Sequence, residues 1–147
     1  MKPLKVLANF GLLDWSSILL GFRNGWIERS DIYQYAFDLL QKGCDDKDVS
    51  IIAESEDLND YELERIISNK TGGTDESIDL DRWRLAFLMC LDDNKSSEEE
   101  KICKLQEIYA DFGYPEDMSS CSIYSCDGVA PLVAMNSVVE KLKSALL

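Results

Sequence analysis

The chain contains no histidine and few basic residues: 15 Lys and Arg stand against 28 Asp and Glu, for a formal net charge of -13. Without imidazole there can be no Ser-His-Asp or Cys-His catalytic pair, no histidine-ligated zinc and no imidazole acid-base step. The scarcity of cations also argues against nucleic-acid binding, because a phosphate backbone requires clustered Lys and Arg. The composition therefore favours binding a basic protein partner over catalysis.

Long apolar runs are absent as well. No stretch approaches the roughly 18 to 20 apolar residues that a membrane span needs. Lys2 and Lys5 precede a weakly apolar stretch, but Asn9 and Gly11 interrupt it and no small-residue cleavage site follows, so a secretory signal is disfavoured. We expect a protein of the reducing cytoplasm with no membrane partner.

The five cysteines form an odd set without the spacing of a disulfide scaffold. Cys90 and Cys103 occupy apolar positions of predicted helices, where a cysteine is usually a small buried hydrophobe. Cys121 and Cys126 fall in a predicted loop, and their spacing is a weak signal for a metal or redox pair. Free thiols are expected.

Apolar periodicity predicts an all-α protein, a single compact domain of six or seven helices over residues 1–147. No strand pattern, internal repeat or long linker interrupts it, and residues 71–74 form the clearest loop. The helix over Leu80–Leu91 is apolar almost all round, which indicates a central position. The predicted helices begin near Asp14, Ser30, Asn59, Leu80, Ser96 and Pro131, with a shorter and less regular helix at Val49–Ala53.

Local residue choices support several of these boundaries. Asn59 with Glu62 and Ser96 with Glu99 match the capping-box pattern at a helix start. Gly25, Gly43 and Gly113 follow the last periodic residues of three predicted helices and are typical helix stops.

The negative charge is concentrated in residues 43–127, which hold 23 acidic and eight basic side chains. Between residues 45 and 64, Lys47 is the only counter-charge to nine acidic side chains. The predicted helix over 60–67 would bury an apolar face and leave its carboxylates outward. Such a run is often only a solvated face. The alternative is a surface that steers a basic partner. The predicted partner-binding residues are Asp45, Asp46, Asp48, Glu54, Glu56, Asp57, Asp60, Glu62 and Glu64.

Cofactor and metal motifs are weak. Neither Asp45–Asp48 nor Asp75–Asp81 has the alternating oxygen ligands, central glycine and terminal glutamate of a calcium-binding loop. Gly72 and Gly73 lack the lysine and preceding strand of a phosphate-binding loop. With this many carboxylates, pairs arise by chance, so a carboxylate- or metal-dependent enzyme is only a distant alternative. We expect no enzyme activity, no cofactor and no metal.

The segment Ile108–Met118 joins a helix end, an aromatic cluster and a proline. Tyr109 and Phe112 lie on the apolar face, Gly113 can adopt the left-handed capping conformation, and Tyr114 can fold back over the last turn. Packing and capping explain most of this pattern. Its aromatic residues, or Asp111, could in addition contact a ligand.

The segment also resembles a bacterial family of small uncharacterised proteins in which a tryptophan-containing helix precedes a helix ending in a YADFGYPE-like sequence. Trp83 with its helix matches the first element, and Tyr109–Glu116 the second. The family's usual YMP-like continuation is replaced here by Ser122–Cys126. The similarity covers the second half of the chain and brings no functional residues with it.

The resemblance implies a protein similar to the immunity partners of polymorphic or contact-dependent bacterial toxins, which are small, often acidic and cytoplasmic. The leading hypothesis is therefore an immunity protein that binds a cognate toxin domain, expected to be a basic nuclease, through the acidic series. The alternative is a helical adaptor or regulatory protein that binds a host protein other than a toxin.

Overall fold

The computed structural model describes residues 2–73 and 75–147, and the described backbone is helical without β-strand. The all-α prediction is confirmed. Thr74, the last residue of the predicted loop, lies outside the described residues. The α-helices are α1 (Pro3–Asn9), α2 (Trp15–Arg23), α3 (Arg29–Gln41), α4 (Lys47–Ala53), α5 (Asp60–Lys70), α6 (Glu76–Asp93), α7 (Glu98–Asp111) and α8 (Pro131–Leu146), with 3₁₀ helices at Ser55–Asp57 and Glu116–Cys121.

The described residues form eight α-helices, one more than the upper end of the prediction, and α1 is the α-helix that the periodicity did not predict. Pro3 occupies its first turn, its N-terminus has no side-chain cap, and its buried residues are Val6 and Leu7. A helix of 7 residues spans about two turns, too few for an apolar repeat to be recognised.

The residues form two compact units, Leu13–Asp79 and residues 1–12 with Leu80–Leu147. In the unit Leu13–Asp79, helix α2 packs against α5, α3 against α4, and α4 against α5. Each contributes apolar residues at helical spacing, so the stripes meet in a shared core while the polar faces remain outside. The buried apolar side chains of this unit include Ile18, Leu19, Ile32, Ala36, Val49, Ile52, Leu63 and Ile67.

In the other unit, α7 and α8 pack against each other and against the 3₁₀ helix Glu116–Cys121. The apolar stretch of α6 is buried, as its sequence predicts, with Trp83 fully inaccessible. The side chains buried here include Trp83, Leu85, Leu88, Leu105, Met118, Met135, Val138 and Leu142.

Several helix starts follow the capping rules, and two of them, those of α3 and α7, are shifted by one residue from the predicted position. Asp14 accepts the Ser17 backbone N–H at 2.8 Å, while Ser17 Oγ accepts the Asp14 N–H at 2.9 Å. Asn59 accepts the Glu62 N–H at 2.8 Å, which is one of the two hydrogen bonds of the predicted capping box. The predicted start of α3 at Ser30 is one residue late, because α3 begins at Arg29.

The predicted cap of α7 is wrong by one residue. Ser97, not Ser96, accepts the backbone N–H of Glu100, at 3.2 Å. Ser96 Oγ instead donates to Asn94 Oδ1 at 2.8 Å, inside the preceding turn. Each serine precedes a glutamate by three residues, so both fit the capping pattern. Because Ser96 is bonded to Asn94 in the preceding turn, Ser97 is the residue that caps α7.

The end of α7 is a Schellman motif. Gly113 has φ +76° and its N–H donates to Ala110 O at 3.0 Å, while the Tyr114 N–H donates to Tyr109 O at 2.9 Å. These bonds satisfy carbonyls that the helix leaves without partners. Helix α2 ends in the same way at Gly25, with φ +73°.

Candidate functional site

The nine predicted partner-binding carboxylates all lie in the unit Leu13–Asp79, and none is buried. They follow the chain from just before α4, through the 3₁₀ turn, to the second turn of α5. Because α4 packs against α5, the two ends of the series belong to neighbouring helices. We call these nine residues the acidic segment.

Asp46 stabilises the helix packing of its own unit. It caps α4 by accepting the Asp48 backbone N–H at 2.9 Å, and it accepts a hydrogen bond from Lys70 Nζ at the end of α5. The bond from Lys70, together with the Asp48 N–H, holds the pKa of the Asp46 carboxyl below its ordinary value. The same bond raises the pKa of Lys70. Asp46 therefore links α4 to α5.

Two further carboxylates have cations supplied by other helices. Arg29 Nη1 donates to Asp60 Oδ1 at 3.0 Å, and its Nη2 donates to the Ser55 carbonyl at 2.8 Å, so one guanidinium fixes both the 3₁₀ turn and the start of α5. Glu64 lies 3.8 Å from Arg23 Nε of α2. The charge count within residues 45–64 missed these pairs because their cations lie elsewhere in the sequence.

The other six carboxylates form no ion pair within the residues that the structure describes. Two apolar side chains lie among them in sequence and are also exposed, Ile51 at 48% and Tyr61 at 74%. This stretch of the chain thus combines carboxylates that form no ion pair with two exposed apolar side chains that are candidate anchors. The six are Asp45, Asp48, Glu54, Glu56, Asp57 and Glu62.

The aromatic motif at the end of α7 is a packing element, as its pattern indicates. The Tyr109 and Tyr114 rings meet edge to face with centroids 5.1 Å apart. Phe112 meets Phe87 of α6 in the same geometry at 5.9 Å. Asp111 is exposed and lies at the helix end. These contacts account for the aromatic residues without a ligand, and the idea that the motif also contacts one stays a prediction.

A buried arginine was missed by sequence reasoning. Arg84 of α6 is 6% exposed; its Nη2 lies 3.1 Å from Asp81 Oδ1, and its Nη1 donates to Asp117 of the 3₁₀ helix Glu116–Cys121. Burial opposes the charge of Arg84, but the Asp117 and Asp81 carboxylates outweigh it and hold the pKa of Arg84 above its ordinary value. The available signal was an arginine between Trp83 and a run of seven apolar residues, Leu85–Leu91.

Gln106 of α7 fixes the segment that follows this 3₁₀ helix. Its Nε2 donates to the Cys121 carbonyl at 2.9 Å, and its Oε1 accepts the Ile123 backbone N–H at 3.2 Å. One side-chain amide thus takes the place of a backbone partner for two residues of an irregular stretch. Tyr124, the residue after Ile123, is exposed.

All five cysteines are free thiols, as predicted. Cys121 is buried, and that burial, with the nearby Asp117 carboxylate, raises the pKa of its thiol to about 11. The expectation that Cys103 is a buried hydrophobe is wrong, because Cys103 is exposed on α7, and Cys90 is only half-buried. Cys103 lies beside the apolar stripe of α7 and not within it.

Within the described parts of the chain, no group of three or more Asp, Glu, Cys or His side chains is arranged to hold a metal ion. Among the same residues, no helix combines the length and apolar character required to cross a membrane.

These features define an all-helical, strongly acidic protein with an exposed, partly uncompensated carboxylate surface. The chain belongs to the bacterial family described as "Uncharacterized protein conserved in bacteria (DUF2247)", whose family model matches residues 5–144. The resemblance to an uncharacterised bacterial family is thereby confirmed, and it extends over nearly the whole chain. No curated protein and no solved structure matches the chain. A relation to immunity proteins stays a prediction.

Proposed function

We propose that this chain is an immunity protein that binds and neutralises a cognate bacterial toxin domain in the cytoplasm, and that the toxin is a basic nuclease. The observation that carries the proposal is the set of six carboxylates in the acidic segment that form no ion pair among the described residues. Three others in the same segment are paired within their own unit. Apart from Asp48, whose charge also acts on Lys70, the six are therefore available to a partner and do not serve as counter-ions of the fold.

The charge of this surface suits a basic partner. Asp45, Glu54, Glu56 and Asp57 are exposed and lie before and after α4. A dense negative surface attracts a positively charged one over about 10 Å at ordinary salt, which raises the association rate. A nuclease presents such a surface, since its substrate is a polyanion. The acidic segment would occupy the cationic substrate surface of the toxin and exclude nucleic acid.

Charge alone gives fast association more than tight binding, so the interface also needs apolar anchors. Tyr61 and Ile51 meet this need, because both are exposed and lie between residues of the acidic segment in the sequence. A tyrosine buries a large area with little loss of side-chain freedom. We expect the carboxylates to dominate the association rate and Tyr61 the dissociation rate.

The direct test is to examine the neighbouring genes for a secreted toxin and to co-express the chain with its toxin domain, with growth as the readout, followed by binding kinetics of the purified pair. The variant E54Q/E56Q/D57N removes three carboxylates of the acidic segment. Its matched control, E98Q/E99Q/E100Q, removes three exposed carboxylates from the first turn of α7 in the other unit. Both variants change net charge equally.

We expect the first variant to slow association by about tenfold at low salt, and the control by less than about threefold. The difference should shrink as salt is raised to about 0.5 M. Equal effects of the two variants would assign the attraction to net charge and contradict this surface. Unchanged protection, combined with loss of a host protein from a pull-down, would instead favour the adaptor function.

A further inference from the structure

A small groove in the unit Leu13–Asp79 carries the opposite sign of charge from its surroundings. It lies between the C-terminal turn of α2 and the outer face of α5 and has a volume of about 210 Å³. The α5 positions recur every three or four residues, so their side chains share one face of the helix. The residues that line the groove are Arg23 of α2 and Tyr61, Glu64, Arg65, Ser68 and Asn69 of α5.

Two guanidinium groups line the groove against one carboxylate. The Arg23 side chain is 53% exposed, and only its Nε lies near Glu64, at 3.8 Å. Arg65 is exposed and forms no hydrogen bond or ion pair within the residues that the structure describes. Residues 13–79 hold 16 acidic and six basic side chains, so two arginines in one groove are a local exception.

We propose that this groove receives a carboxylate side chain of the partner protein, an inference that rests on the proposed function. A guanidinium presents a planar pair of donors that matches the two oxygens of a carboxylate. Ser68 and Asn69 add a hydroxyl and an amide, and Tyr61 adds an apolar wall. The volume suits one side chain, being smaller than the roughly 300 Å³ at which drug-sized ligand pockets begin.

The contact would set the register of the complex. Basic side chains of the partner meet the six carboxylates, while one acidic side chain of the partner meets Arg23 and Arg65. If the partner were bound in a shifted position, its basic side chains would face the arginines and its acidic side chain would face the carboxylates, which is unfavourable. The groove therefore distinguishes the cognate partner from other basic proteins that the acidic surface alone would attract.

Charge reversal separates this inference from simple charge attraction. Arg65→Glu makes the protein more acidic, so general attraction to a basic toxin predicts tighter binding, whereas a carboxylate in the groove predicts weaker binding. Lys47→Glu is the matched control, because Lys47 is exposed at the start of α4 and lies outside the groove. We expect affinity for the toxin to fall by about tenfold for Arg65→Glu and to be unchanged or slightly higher for Lys47→Glu.

The inference is overturned if Arg65→Glu and Lys47→Glu have the same effect, provided that circular dichroism shows both variants folded as the wild type. Arg65→Gln should give an intermediate loss, since it removes the guanidinium without adding repulsion. If the wild-type chain binds no toxin, the proposed function fails, and a second measurement decides about the groove.

That measurement is a titration of the ¹⁵N-labelled chain, following the arginine Nε resonances. The probes are a doubly blocked aspartate, the equivalent blocked asparagine, and inorganic phosphate. We expect the aspartate to shift the Arg65 Nε signal and the asparagine to leave it unchanged. A larger response to phosphate would reassign the groove to phosphate, and no response to any probe would remove the anion site.

Discussion

The ion pair between Arg84 and Asp117 links α6 to the 3₁₀ helix Glu116–Cys121. Arg84 is buried, whereas the Asp117 side chain is 41% exposed and Asp81 stays 3.1 Å from the guanidinium. Removing one partner of a fully buried pair costs about 3–5 kcal/mol, and an exposed pair contributes about 0–1 kcal/mol. Asp117→Ala should therefore cost about 2 kcal/mol, between those limits.

A double-mutant cycle isolates the pair. Arg84→Met keeps an apolar stem of similar length and removes the charge, so it should cost about 1 kcal/mol while the half-exposed Asp117 is hydrated. Once Arg84 is gone, Asp117→Ala should add little, and the cycle should give a coupling of about 1.5–2 kcal/mol. Urea unfolding, followed by circular dichroism at 222 nm and by tryptophan fluorescence, measures each free energy of unfolding.

The control is Lys104–Glu107 on α7, an ion pair of 3.3 Å whose side chains are 66% and 64% exposed. Its cycle should give about 0.3–0.5 kcal/mol, as for other exposed pairs one helical turn apart. If the Arg84–Asp117 coupling is no larger than this control, the buried arginine does not hold the 3₁₀ helix, and the reasoning is refuted.

Gly113→Ala should lower the free energy of unfolding by about 1–2 kcal/mol, because φ is +76° there and the added Cβ meets nothing within 4 Å, leaving backbone strain as the cost. Gly72→Ala, without a positive φ, is the urea-unfolding control and should change stability by less than about 0.5 kcal/mol. Asp14→Ala should cost about 1 kcal/mol by removing the acceptor of the Ser17 N–H, and an unchanged melting temperature would contradict that role. At about pH 8, iodoacetamide should modify exposed Cys103 and Cys126 and spare Cys121, which mass spectrometry reads directly. Burial raises the pKa of the Cys121 thiol from 9.0 to about 11. The contribution of the neutral thiol to the free energy of unfolding is therefore complete below pH 9, and it falls by up to about 3 kcal/mol as pH rises towards 11. Cys121→Ala should remove that part of the alkaline decline, and an unchanged pH profile in the variant would refute the shift.

The helical class and most boundaries could be read from the sequence because they depend on neighbours three or four residues apart. Asp14, Asn59 and Gly113 act within one turn of their own helix, so their roles follow from local spacing. Local reading failed where two nearby candidates competed, as at Ser96 and Ser97, and where a helix was too short to repeat its pattern, as in α1.

The composition by itself determined that the protein is acidic, lacks imidazole chemistry and carries most of its negative charge in one stretch. Only the tertiary structure decided which carboxylates of that stretch are already neutralised. Asp46, Asp60 and Glu64 meet cations from Lys70, Arg29 and Arg23, and each pair forms only because helices distant in sequence pack together. An ion pair depends on distance in space, which a count along the chain does not contain.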